Sequence, residues 1–163
     1  MGVDRNVAAG LTDIKENIAW FKNSQDVLTI NTAAELKAFA EMSKTYNFKG
    51  KTIKLGADIV FNTGDAATYA SKAPANVWTP IASFKGTFDG DGHTISGVEI
   101  TANGSEQGFF RKLSQSAYVS DLHIQGKVIP GGSRSKVGGI AGYNAGSVTD
   151  CSFTGTVSGR DQV

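Results

Sequence analysis

The chain has 163 residues, 16 basic and 15 acidic, for a formal net charge of +1; that length suits one domain with its own core. No Lys/Arg cluster interleaved with aromatics is present in the sequence, so nucleic acid is not an expected partner. Twenty glycines stand against three prolines, but with no triplet period and with apolar residues throughout, which excludes collagen and a disordered linker.

Cys151 is the one cysteine, so no internal disulfide can form and the redox compartment stays open. Residues 1–10 lack the apolar stretch of a signal peptide, and no apolar run reaches the length of a membrane span. The start is that of a cytoplasmic protein or of one whose signal has been removed, and membrane insertion is not expected.

Two helical signals come first. Ile14, Ile18 and Phe21 recur at helical spacing behind Thr12 and Asp13, either of which can cap a helix. Thr32-Ala33-Ala34-Glu35 then has the form of a capping box, with Leu36, Phe39 and Ala40 on one face, predicting a helix from Ala33 to about Lys44. Residues 1–48 are accordingly expected to form a helical segment and cap, and residues 49–163 the repeating part. After Gly50 the period becomes two, and Ile53 and Leu55 point away from Lys51 and Lys54. Residues 62–76 are polar, Ala-rich and aperiodic, which predicts a long loop and a place for sequence-specific function.

From Phe84 onward the chain repeats itself. Val119 to Val128 matches Val148 to Val157 in chemical class at an offset of 29, and Ile95, Val98 and Ile100 align with Val119, Leu122 and Ile124 at an offset of 24. Each repeat would be a rung of short strands and turns that buries its apolar side only when the next rung stacks on it. Leu122 should stack on Cys151 and Ile124 on Phe153, with His123 and Ser152 outward. Gly97, Gly126, Gly155 and the Gly138-Gly139 pair would supply corners or close backbone approaches.

The run Val137 to Val157, with Gly138-Gly139-Ile140-Ala141-Gly142 near its start, resembles the GLUG-motif repeats of bacterial secreted and surface proteins. Trp78-Thr79-Pro80-Ile81 and Phe84 to Gly97 are similar to the coils that precede those repeats, and the Ala33 helix to their cap. The resemblance covers about residues 30–159 and departs from the family's motif at Ile140, where Leu is usual. It implies an all-β fold with an N-terminal helical cap, a right-handed parallel β-helix (β-solenoid), serving as a module of an adhesin, an autotransporter-like protein or an immunoglobulin A peptidase. It implies no conserved active site, and the HExxH helix of zinc peptidases is absent from the sequence.

Several residues are candidates for chemistry. Asp89-Gly90-Asp91-Gly92 opens like a calcium loop, but the twelfth position is Ile100, which cannot ligate, so we read it as an Asp/Gly turn with His93 part of it. Asp121 and Asp150 are equivalent in successive rungs and would lie near the spacing of a retaining glycosidase pair; the alternative is that each is a corner residue bonding local backbone. Tyr46, Tyr69, Trp78 and Tyr143 could form a platform for sugar rings, with Trp78 favoured for burial. Tyr143, Asn144 and Tyr69 are the candidate ligand-binding residues. Cys151 aligns with Leu122 and reads as an inward hydrophobe. No metal ligand set, cofactor site or catalytic residue emerges.

The last rung would leave an open edge, so the chain is expected either to continue with more rungs in its natural protein or to self-associate there. The reading is a non-catalytic solenoid module, secreted or on the cell surface, acting as an adhesin-like binding surface or spacer for a host or environmental glycan or protein. A carbohydrate-active enzyme and an accessory module of a secreted peptidase are the alternatives, the former by analogy of fold alone.

Overall fold

The structure is a computed structural model that describes residues 26–63, 76–132 and 136–159. The helical signal around residues 12–21, Tyr69 and most of the 62–76 loop lie outside these residues. In chain order the elements are β1 (Val27–Ile30), α1 (Ala33–Met42), β2 (Thr52–Leu55), β3 (Ile59–Val60), β4 (Ile81–Phe84), β5 (Thr87–Asp89), β6 (Thr94–Ile100), β7 (Phe110–Leu113), β8 (Tyr118–Ser120), β9 (His123–Val128), β10 (Ala141–Asn144), β11 (Ser147–Thr149) and β12 (Ser152–Val157).

The strands stack in three parallel sheets that make a β-solenoid of about four turns. Sheet I contains β1, β2, β5, β8 and β11; sheet II contains β4, β7 and β10; sheet III contains β3, β6, β9 and β12. A complete turn runs from sheet II through sheet I to sheet III. Because every neighbouring pair is parallel, like positions form columns: Leu28, Ile53, Phe88, Val119 and Val148 in sheet I, and Ile59, Ile95, Ile124 and Phe153 in sheet III. Most of these are buried, as expected of the inward set of a period-two strand. Ile124 pairs with Phe153 as the repeat predicts, and outward His123 pairs with Ser152, their side chains 2.8 Å apart (Nδ1 to Oγ).

The rung offset between β6 and β9 corrects the sequence alignment. Ile95 pairs with Ile124 and Ile100 with Val128, so the offset is 29 before a bulge and 28 after it, not 24. The extra residue sits between Ile95 and Val98, where Gly97 holds a φ of 76° and a Cβ would meet the Asn62 carbonyl oxygen. Gly126 and Gly155 also differ from the expected corners. They pair with each other within β9 and β12, and a Cβ on Gly126 would strike the Val98 carbonyl oxygen. The close-approach reason for glycine holds there; the corner reason does not.

Helix α1 starts where the capping box places it. The Thr32 hydroxyl accepts from the Glu35 amide at 3.2 Å and donates to the Glu35 carboxylate at 3.1 Å. It buries Leu36, Ala38, Phe39, Ala40 and Met42 and packs on β4, the edge strand of sheet II, so it stands where the first turn would otherwise need a sheet II strand. The chain leaving the helix also satisfies that edge. The Ala82 amide donates to Ser43 Oγ at 3.1 Å and the Lys85 amide to the Asn47 carbonyl at 2.8 Å.

Phe39 reaches from the helix onto Phe48, Phe84 and Phe88, with ring centroids 5.0, 6.1 and 5.8 Å away. Strand β1 precedes the helix inside the segment expected to be helical; it pairs with β2 and buries Leu28 and Ile30.

Phe39 thus joins the cap to the aromatic core of the solenoid. Phe39→Ala should lower unfolding stability by about 3–5 kcal/mol, measured by chemical denaturation; a loss under about 1 kcal/mol would mean that the helix does not close the stack.

Candidate functional site

The corner between sheets I and III is made by a single aspartate in each of the last two turns. Asp121 and Asp150 hold φ of 52° and 51°, a left-handed conformation that Asp tolerates better than most side chains. Both are exposed and stand two residues before β9 and β12 begin. Their equivalence, which suggested a carboxylate pair, follows from this shared backbone role. Just inside that corner, Cys151 is partly buried on the core, and its thiol donates to the Thr149 carbonyl at 3.1 Å. Burial raises the thiol's pKa, and the Asp121 and Asp150 carboxylates push it further the same way, against backbone hydrogen bonds that oppose the shift.

The Asp89-Gly90-Asp91-Gly92 segment is a turn in the preceding rung. Asp89 Oδ1 accepts from the Asp91 amide at 2.8 Å, and Asp91 Oδ2 lies 3.3 Å from Lys54 Nζ. Ile100, at the position where a calcium loop needs its bidentate carboxylate, is fully buried in the core. His93 is held by Asp58, with Nδ1 and Oδ1 3.1 Å apart, and Asp58 also accepts from the Thr94 amide at 2.9 Å. The Thr94 amide, with His93 adding to it, lowers the Asp58 pKa. The pair ties the first corner to the next one. Among the described residues, no group of three or more His, Cys, Asp or Glu side chains comes close enough to hold a metal ion.

The aromatic candidates separate cleanly. Trp78 is 1% exposed, stacks on Phe109 at 4.7 Å and donates from Nε1 to the Phe109 carbonyl at 3.0 Å, so it is core. Tyr46 packs on Phe48 at 4.7 Å. Tyr143 is 40% exposed on the outward side of β10. The ammonium groups of Lys112 and Lys136 each lie 5.3 Å from its ring centroid. Asn144 follows it, with Oδ1 accepting from the Gly146 amide at 2.9 Å, so that oxygen shapes the turn.

Beside Tyr143 an open groove of about 430 Å³ follows the corner between sheets II and I. Lys49, Lys85 and Lys112 line it with Ser114, Gln115, Ser116 and Ala145, and no carboxylate does. The groove crosses the rungs: the Lys85 amide bonds the Asn47 carbonyl, the Ser114 amide the Phe84 carbonyl, and the Ala145 amide the Leu113 carbonyl. Each turn therefore contributes to one wall. The sequence reading missed this lysine set because its members lie 36 and 27 residues apart. The strand register brings them together: Phe84 pairs with Leu113, which sets Lys85 beside Ser114.

The environment of Cys151 gives a direct test. Its thiolate fraction at neutral pH should be below that of a free cysteine, so alkylation should be slower and should accelerate as pH rises past the ordinary thiol range. Timed iodoacetamide labelling across pH checks this; labelling at pH 7 as fast as free cysteine would contradict it.

The GLUG motif matches residues 133–158, which include the last described turn, β10 to β12. Halomucin of Haloquadratum walsbyi (strain DSM 16790 / HBSQ001) is 31% identical over 142 residues, a match that takes in 82% of this chain and 2% of halomucin. That relative is archaeal, so it lends nothing to the bacterial source that the resemblance implies. No solved structure matches the chain. The last of the stacked rungs carries the GLUG motif, and in this segment the chain is similar to GLUG-repeat proteins.

Proposed function

We propose that the chain is a non-catalytic module of a secreted or cell-surface protein, and that it acts as an adhesin-like binding surface for a glycan. The GLUG motif and the halomucin relative support a surface module. The observation that carries the binding reading is Tyr143, an exposed ring on the outer side of β10 with two ammonium groups 5.3 Å from its centroid. Aromatic faces suit the C–H faces of sugar rings, and the ammonium groups over the ring suit their oxygens. A non-catalytic role is supported by the engagement of Asp58, Asp89, Asp91 and Glu106 in turns and ion pairs with their neighbours.

A second partner is a further copy of this chain. Strands β10, β11 and β12 are edge strands, each pairing on one side only among the described residues. Val148, Cys151, Phe153 and Val157 continue the core columns there and are only partly buried. Sedimentation velocity over a range of concentrations should detect a dimer that Phe153→Lys abolishes; a concentration-independent monomer would remove this reading.

The glycan reading is tested by a glycan array with product analysis on each hit. Binding without cleavage is expected, lost about ten-fold or more in Tyr143→Ala and retained in Tyr143→Phe. Cleaved product, abolished in Asp121→Asn, would instead establish the enzyme alternative.

A further inference from the structure

The groove beside Tyr143 has a chemical character that its sequence does not announce. Lys49, Lys85 and Lys112 come from three successive turns and converge on a lining that holds no acidic side chain. Among the described residues none of the three forms an ion pair, whereas Lys44, Lys51, Lys54 and Lys136 each do. The chain as a whole carries a formal charge of +1, so this is a local concentration of uncompensated positive charge. Such a surface raises the local concentration of anions.

The rest of the lining is suited to sugar. Ser114, Gln115 and Ser116 supply hydroxyl and amide groups beside the lysines, and Tyr143 closes one end with an exposed ring. Two of these positions are pre-set: Ser116 Oγ bonds the Lys85 carbonyl at 3.0 Å, and Ser83 Oγ lies 3.3 Å from Ser114 Oγ. The groove is open and crosses the rungs, so a chain can lie along it and meet lysines from three stacked turns. Its volume of about 430 Å³ falls in the range of small-ligand sites.

We propose that this groove binds an acidic polysaccharide, with sugar carboxylates paired to Lys49, Lys85 and Lys112 and one sugar ring against Tyr143. The inference rests on the glycan-binding reading above and adds the ligand's charge class and its path along the solenoid. A single-stranded nucleic acid is the less suitable polyanion, because Tyr143 is the one aromatic side chain in the lining and successive bases need a row of them.

The test is binding of the whole chain to polygalacturonate, to the same polymer fully methyl-esterified, to polyglutamate and to a single-stranded oligonucleotide, at low and high salt. Lys49→Gln, Lys85→Gln, Lys112→Gln, their triple combination and Tyr143→Ala are run beside it, with thermal melts to verify folding. Polygalacturonate should bind alone among these, more weakly as salt rises. Each single lysine change should weaken it about three- to five-fold, and the triple change at least about thirty-fold.

Equal binding of the esterified polymer would overturn the acidic-ligand assignment while leaving the glycan surface intact. Equal binding of polyglutamate or the oligonucleotide would overturn the sugar assignment, because charge alone would then be recognised. Binding of no polymer, with every variant folded, would overturn both this inference and the reading it rests on.

Discussion

Parallel stacking in fixed register governs this molecule. A rung of the solenoid is too thin to bury its own apolar side chains, so each inward residue depends on the equivalent residue above and below it. The columns that run from Leu28 to Val148 and from Ile59 to Phe153 are the result. Register also decides what can stand at crowded positions. Where Gly126 faces Val98 and Gly155 faces Gly126, backbones approach too closely for any Cβ. One misplaced methyl would push neighbouring rungs apart along the whole ladder, so the cost is not confined to its own turn.

A stack held this way must be closed at an end where its edge would otherwise face water. Helix α1 and the chain behind it do so at sheet II, through Phe39 on the aromatic core and through Ser43 and Asn47 on the strand edge. The arrangement joins two different solutions to one problem. The apolar face of the helix covers side chains, while its trailing segment covers hydrogen-bonding groups. Asn62 works similarly at the third sheet, accepting from the Asn76 amide and donating to the Asn76 and Gly97 carbonyls, so that Asn62 and Asn76 are held together beside β6.

Much of the fold was legible because rung stacking repeats chemistry at intervals. Val119 to Val128 and Val148 to Val157 announced themselves through matching residues, and the Thr32 to Glu35 box announced the helix. The failures have physical causes. Strand β1 is four residues long and matches no rung by sequence, so its alternation of exposed and buried residues was too brief to stand out. The bulge at Gly97 shifts the register by one within a single strand, which a rigid alignment cannot represent. The site was less legible than the fold. Tyr143 was identifiable as an exposed aromatic, but the lysines around it are separated by whole turns, and only knowledge of which residues share a corner brings them together.

Because each turn from β4 onward carries the same three-sheet path, length in this design is a quantity set in whole units. Adding one copy of the β10 to β12 turn would lengthen the body by about 4.8 Å while leaving the outline of its cross-section unaltered. The wall between sheets II and I would gain one position for each added turn. Reach and the number of contact points along that wall would then rise together, so tenacity toward a long ligand can be adjusted by copying a segment, without the redesign of any side chain already in place.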